Sequence, residues 1–241
     1  MTSDTENLAA VRAALASTPQ LDLQAQPIDL AIVDGSVTMT GQVASVAAKK
    51  LALEAAAALP SVTGILDRLR VKPAQPMGDG QIRDLLRDAY LQEPAFAELV
   101  VAVLIKGKWE VVREPPDVIR GAVEVEVSDG VVTLNGEVPG LGVKRLAGVL
   151  AWWIPGSCDV VNGLVVTPDQ ADNEFEMADA VRLALEKDPF VNASQVRVGA
   201  RDGVVRLQGL VPAESEKEMA EADAWYVFGV DRVVNELEVH A

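Results

Sequence analysis

Groups that carry metal or nucleophilic chemistry are nearly missing from this chain. It has one cysteine, Cys158, and one histidine, His240, at the second-to-last position. A lone cysteine excludes an intramolecular disulfide. One cysteine and one histidine leave too little to build a zinc cage or a histidine-based triad. Basic residues are scarce, 21 Lys and Arg against 36 Asp and Glu, for a net charge of −15. That balance argues against nucleic acid, whose phosphates are neutralised by Lys and Arg. It also argues against adsorption of the whole surface to anionic lipid, while leaving room for one local patch. Long apolar runs are absent too. The longest, Leu99–Ile105 and Val149–Pro155, fall far short of the ~20 residues that cross a bilayer. The opening residues MTSDTENLAA hold neither a basic nor an apolar leader segment, so a cytoplasmic chain without a secretory signal is expected. No P-loop and no GxGxxG after a strand occurs. No base stands beside a nucleophile, so the chain is not expected to be an enzyme, and no catalytic, cofactor or metal residue is assigned.

What is present is repetition. Hydrophobic residues make up 49% and charged residues 24%, a globular balance. Three segments, Ile28–Val71, Val123–Val166 and Val196–Val239, align without a gap. Each carries Asp-Gly at the same point: Asp34-Gly35, Asp129-Gly130 and Asp202-Gly203. A second glycine follows at a fixed offset (Gly41, Gly136, Gly209), then a valine (Val43, Val138, Val211) and a lysine (Lys49, Lys144, Lys217). Each segment closes on a β-rich run: ILDRLRV, VVNGLVV or VVNELEV.

One unit reads as follows. VEVEV (123–127) alternates as a half-buried strand, and SDG punctuates a hairpin. VVTLNGEV is the second strand, with its glycine at a bulge or a close backbone approach. A helix runs from about Pro139 to Trp153, with Leu146, Val149, Leu150 and Trp153 on one face. Val160–Val166 is the third strand. Amphipathic helices precede the units at Leu8–Ser17, Gln81–Gln92 and Phe175–Lys187, each ending near a proline. The fold class is α+β: three tandem αββαβ units, each a small mixed three-stranded sheet with two helices on one face. Strands two and three are joined across a helix and are expected to be parallel. Linkers rich in Pro, Gly and acid separate domains at 1–73, 79–168 and 174–241.

The unit resembles the BON domain (bacterial osmotically inducible and nodulation domain). The resemblance rests on DGSVTMTGQV, DGVVTLNGEV and DGVVRLQGLV, on the following helix with its lysine, and on the closing strands. It covers about three-quarters of the chain. It implies a binding module without catalysis. Members of the family have been associated with phospholipid or membrane-surface binding, with envelope integrity and stress, and with potassium sensing.

The middle unit departs from its siblings. From upstream helix to hairpin glycine it spans 48 residues (Ile82 to Gly130), against 24 (Val11 to Gly35) and 22 (Val181 to Gly203). The excess, roughly Phe96 to Arg120, reads as an inserted hairpin with strands Leu99–Ile105 and Trp109–Arg113 around KGK. Two roles are open to it. It is either an added sheet edge packed against a neighbouring repeat, or a protruding arm for a partner or lipid.

Aromatic pairs end the second helix twice, as Trp152-Trp153 and Trp225-Tyr226, where repeat one has Ala57-Ala58. Adjacent helical residues point ~100° apart. Trp153 and Tyr226 are therefore assigned to the core, and Trp152 and Trp225 to the outside. Trp109, Lys144, Arg145, Trp152 and Trp225 form the candidate partner or membrane surface. The alternative for Trp152 is packing against a neighbouring domain or the arm. The repeated lysine is read as a solvated side chain, with an anion site at the helix start as the rival. The function expected is a cytoplasmic, non-catalytic adaptor that recognises a protein or membrane surface, in stress or envelope homeostasis. A small-ligand or potassium-type sensor and a holdase-like stress protein are the alternatives. Nothing in the residues fixes an oligomeric state.

Overall fold

The computed structural model describes residues 4–33, 36–170 and 173–240. Repeat one runs α1 (Asp4–Ala16), β1 (Ile28–Val33), β2 (Ser36–Val43), α2 (Val46–Ala57) and β3 (Ile65–Val71). Repeat two runs α3 (Asp79–Gln92), a 3-10 turn (Pro94–Phe96), β4 (Leu99–Ile105), β5 (Lys108–Arg113), β6 (Gly121–Ser128), β7 (Val131–Val138), α4 (Leu141–Trp152), β8 (Asp159–Asn162) and β9 (Val165–Val166). Repeat three runs α5 (Glu174–Lys187), a 3-10 turn (Ala193–Gln195), β10 (Val196–Arg201), β11 (Val204–Val211), α6 (Glu214–Tyr226) and β12 (Arg232–Val239). Each repeat is thus αββαβ on a mixed sheet. The first two strands of the unit are antiparallel, and the second and third parallel. The chain divides into two compact units, 1–72 and 73–241, the second holding repeats two and three.

The Asp-Gly pairs of repeats two and three make the hairpins. Asp129 and Gly130 have φ of 52° and 73°, Asp202 and Gly203 of 49° and 75°. Two left-handed residues in succession are the type I′ turn that matches strand twist. Asp34-Gly35 lies outside the described residues. The second glycines mark a close approach of backbone. A Cβ on Gly136 would stand 2.2 Å from the Ala122 carbonyl oxygen, and one on Gly209 would stand 1.9 Å from that of Gln195. No side chain fits there.

The insertion belongs to its own repeat. β4 pairs parallel to β6, and β5 pairs antiparallel to β4, giving the order β5-β4-β6-β7-β8 with β9 beside β7. Phe96, Leu99, Val101 and Val103 are fully buried and share one core with Ile82, Leu86 and Tyr90 of α3. The expected contact with a neighbouring repeat is replaced by this in-sheet pairing, and the strands do not protrude as a free arm. Arg113 ties down the far end of the hairpin. Its guanidinium donates to the carbonyl oxygens of Leu91 (3.3 Å), Phe96 (2.5 Å) and Leu99 (3.3 Å). The third strand of repeat two is broken at Gly163-Leu164, where the sequence suggested a single run. Asn162 accepts from the Leu164 N–H at the break, and the Gly163 N–H donates to the Leu134 carbonyl at 2.8 Å.

Candidate binding surface

The helices of repeats two and three form one layer, and that layer places most of the candidate residues. α4 is buried on every side from Arg145 through Ala151, because its second face packs on repeat three. The Trp152 ring stacks on Tyr226, with centroids 6.0 Å apart and planes inclined by 13°. Trp153 Nε1 donates to Asp223 Oδ1 at 2.8 Å. Arg145, only 1% exposed, donates from Nε to the Phe228 carbonyl at 3.0 Å. Lys144 Nζ lies 4.6 Å from the centroid of the Phe228 ring, a cation–π contact. At the other end of the layer Lys187 Nζ reaches Glu93 Oε2 at 2.8 Å and joins α5 to the end of α3.

Two orientations inferred from the helical wheel are therefore corrected. Trp225, assigned to the outside, is 4% exposed, and Arg145, assigned to the surface beside Trp152, is buried. Trp153, assigned to the core, is partly buried and packs against the core of repeat two, while Tyr226, also assigned to the core, is partly buried at the seam between repeats. The wheel assumed one buried face per helix, whereas α4 and α6 bury two. The warning sign was the unbroken LAGVLA of α4, a helix apolar all round. Lys144, Arg145 and Trp152 are gathered at this seam, and Trp225 is buried in α6 of the same unit. Trp109 is apart from them, exposed on β5.

The repeated lysine differs in each repeat. Lys49 is buried; its Nζ donates to the Leu69 carbonyl at 2.9 Å and pairs with Asp67 at 2.9 Å. Asp67 occupies the place that Asn162 and Asn235 hold in the other repeats. All three accept from the N–H two residues on: Leu69 (2.8 Å), Leu164 (3.4 Å) and Leu237 (3.2 Å). The asparagines then donate to the carbonyl of the helix lysine, Lys144 at 2.8 Å and Lys217 at 3.0 Å. An amide can donate to that carbonyl. A carboxylate cannot, and it accepts from the lysine head instead. The lysine positions thus tie the second helix to the third strand, and the solvated reading fails for Lys49.

Two carboxylates, Asp223 at the seam and Asp79 within repeat two, were not singled out in the sequence. Asp223 lies in an acidic helix, yet burial pushes its carboxyl up to about 8; the Trp153 hydrogen bond opposes that shift and the nearby Asp188 adds to it. Burial also raises Tyr226, with the Asp223 charge as the second cause. Asp79, at the start of α3, accepts from the N–H groups of Asp129 (3.0 Å) and Gly130 (2.8 Å) and caps the hairpin turn. Among the described residues no cluster of three His, Cys, Asp or Glu is placed to hold a metal ion, and no helix is long and apolar enough to cross a membrane.

A small mixed sheet, two helices and a glycine pressed against the first strand define a repeated α+β module. The BON domain matches residues 3–73, 108–168 and 173–241. The chain therefore belongs to the BON domain family and carries three copies in tandem. No curated protein matches it in sequence. Among solved structures it is similar to the C-terminal domain of CdsD, a structural protein of the type III secretion system of Chlamydia trachomatis. The identity is 13%, all of both chains is covered, and the TM-score is 0.26. A second structure of CdsD is 13% identical over 98% of this chain and 92% of that one, with a TM-score of 0.25. Likeness at that level bears on neither architecture nor role.

Proposed function

We propose that the chain is a non-catalytic adaptor of the BON type that recognises a protein partner. The observation that carries this reading is an exposed apolar pair on a rigid scaffold. Trp109 (45% exposed) and Val111 (61%) sit two residues apart on β5, near the hairpin turn. The strands beneath them belong to the buried core of repeat two. Exposed apolar groups grouped on a fixed frame mark interaction sites, and tryptophan is prominent among residues that dominate interface energies. A protein is favoured over an anionic membrane because the net charge of −15 opposes acidic headgroups.

Affinity capture with the full chain tests the reading. One protein should be enriched on the wild type and lost on a Trp109→Ser, Val111→Ser double variant. Equal recovery on both chains would overturn it. So would co-flotation with phosphatidylglycerol vesicles with no protein captured.

A further inference from the structure

The edge of the six-stranded sheet carries the adaptor reading further. β5 is the terminal strand, with β4 on one side only. Its hairpin turns at Lys106 and Gly107, both left-handed with φ of 50° and 76°, and Ile105 faces Lys108 across it. A two-residue turn of this type closes on a pair whose N–H and C=O groups face each other. Antiparallel pairing then alternates, so Glu110, opposite Val103, also turns its main chain toward β4. Trp109 and Val111, opposite Leu104 and Ala102, turn theirs outward, with no strand to meet them. The two residues with open main-chain groups are also those with exposed apolar side chains. Other edges differ: β8 and β9 are interrupted, β12 presents Arg232, Glu236 and Glu238, β10 presents Arg197 and Arg201, β3 presents Asp67 and Arg68, and β1 exposes Asp29, Ala31 and Val33 without an aromatic residue. The molecule already shows such an addition within itself. β4 lies against β6 at the edge that β1 and β10 leave open in their own sheets.

A second copy of the chain does not suit this edge. A two-fold centred on Glu110 sets carboxylates opposite each other. Centred on Trp109, it brings Val111 to Gly107, which is left-handed and cannot extend a strand. Centred on Val111, it meets the register shift that separates Arg113 from Val111 along β4. We infer that β5 takes an extended segment of a partner protein as an added antiparallel strand, with apolar side chains alongside Trp109 and Val111 and a basic residue opposite Glu110. This rests on the adaptor reading and specifies its contact. Main-chain hydrogen bonds supply the affinity in such additions, and alternate side chains the choice of partner. The acidic chain steers a basic segment toward itself.

The probe is a fluorescein-labelled peptide, Thr-Val-Thr-Val-Lys-Val-Thr-Val-Thr, titrated against the full chain by anisotropy, with a second peptide carrying Glu for Lys. Val111→Pro removes an outward N–H that no ladder bond uses. It should weaken binding at least about tenfold, with the tryptophan-monitored unfolding midpoint preserved. Val111→Lys, at a position already exposed, keeps the N–H and should weaken the Lys peptide to a similar degree. The Glu peptide should bind about tenfold more weakly to the wild type. Equal binding to wild type and both variants would overturn the inference, as would no binding of the Lys peptide at all. A dimer in sedimentation that Val111→Pro dissolves would also overturn it. Recovery of the captured partner on Val111→Pro would sink the edge while sparing the adaptor reading. Absence of any captured partner would sink the adaptor reading itself.

Discussion

Replacing Asp223 by Asn should remove most of the pH dependence of the repeat two–three unit. The carboxyl is buried against Trp153, and its value of about 8 compares with 3.8 for an ordinary aspartic acid. Below about pH 4 the proton is bound in folded and unfolded chains alike, and burial carries no ionic penalty. Between those values the unfolded chain has released its proton and the folded chain holds it, so stability falls as pH rises. Above about pH 8 the penalty is fully expressed. One pH unit of difference corresponds to about 1.4 kcal/mol, so the ceiling is about 6 kcal/mol, of which about 2 kcal/mol falls between pH 6 and 8. Asp188 and Tyr226 share the electrostatic neighbourhood, so the measured midpoint belongs to the group. The amide oxygen introduced by the substitution still accepts from Trp153, and the amide never ionises. All four tryptophans, Trp109, Trp152, Trp153 and Trp225, lie in 73–241, so urea unfolding followed by their fluorescence reports this unit alone. Asp223→Asn should gain about 2 kcal/mol on the wild type between pH 6 and pH 8. A difference unchanged across that range would refute the assignment of a neutral buried acid.

Two further substitutions test the frame. Gly209→Ala should cost at least about 2 kcal/mol in thermal unfolding, because its Cβ would stand 1.9 Å from a carbonyl oxygen at a left-handed φ. Gly199→Ala, with nothing within 4 Å, should be close to neutral and serves as the control. Tyr90→Phe should cost about 1 kcal/mol, since the buried hydroxyl donates to the Ala147 carbonyl at 2.8 Å and that second bond to a helical carbonyl is lost. Circular dichroism melts of each variant check both.

The repeat, its element order and the hairpin insertion were legible because they rest on short-range rules. Asp-Gly marks a type I′ turn, period-two alternation marks a strand, and a fixed glycine marks a close approach. The candidate surface was less legible. Trp152, Arg145 and Trp225 look alike on a wheel whether they face water or a sibling repeat, since covalent neighbours supply the partner. The role of Lys49 depended on Asp67, eighteen residues away and distinguished from Asn162 and Asn235 by a single atom type. Asp223 had no signal at all, because its environment is made by Trp153 from another repeat. Trp109 alone kept the exposure expected of it, as a strand at a sheet edge has no second layer to cover it.

The shared helix layer of repeats two and three also orders events on the ribosome. Repeat one closes within its own 1–72 unit and can pack as soon as β3 emerges. Repeat two completes its sheet with β9, but the aromatic face of α4 then has nothing to rest on. Trp152 and Arg145 lack their cover, and the Trp153 N–H its acceptor, until Asp223, Tyr226 and Phe228 have been synthesised. During that interval the nascent chain shows water the Trp152 ring and an arginine destined for burial. Exposed surface of this kind invites chaperones and premature association. A stop or a slow stretch of translation within α5 would therefore be more hazardous to this protein than one in the linker at 73–78.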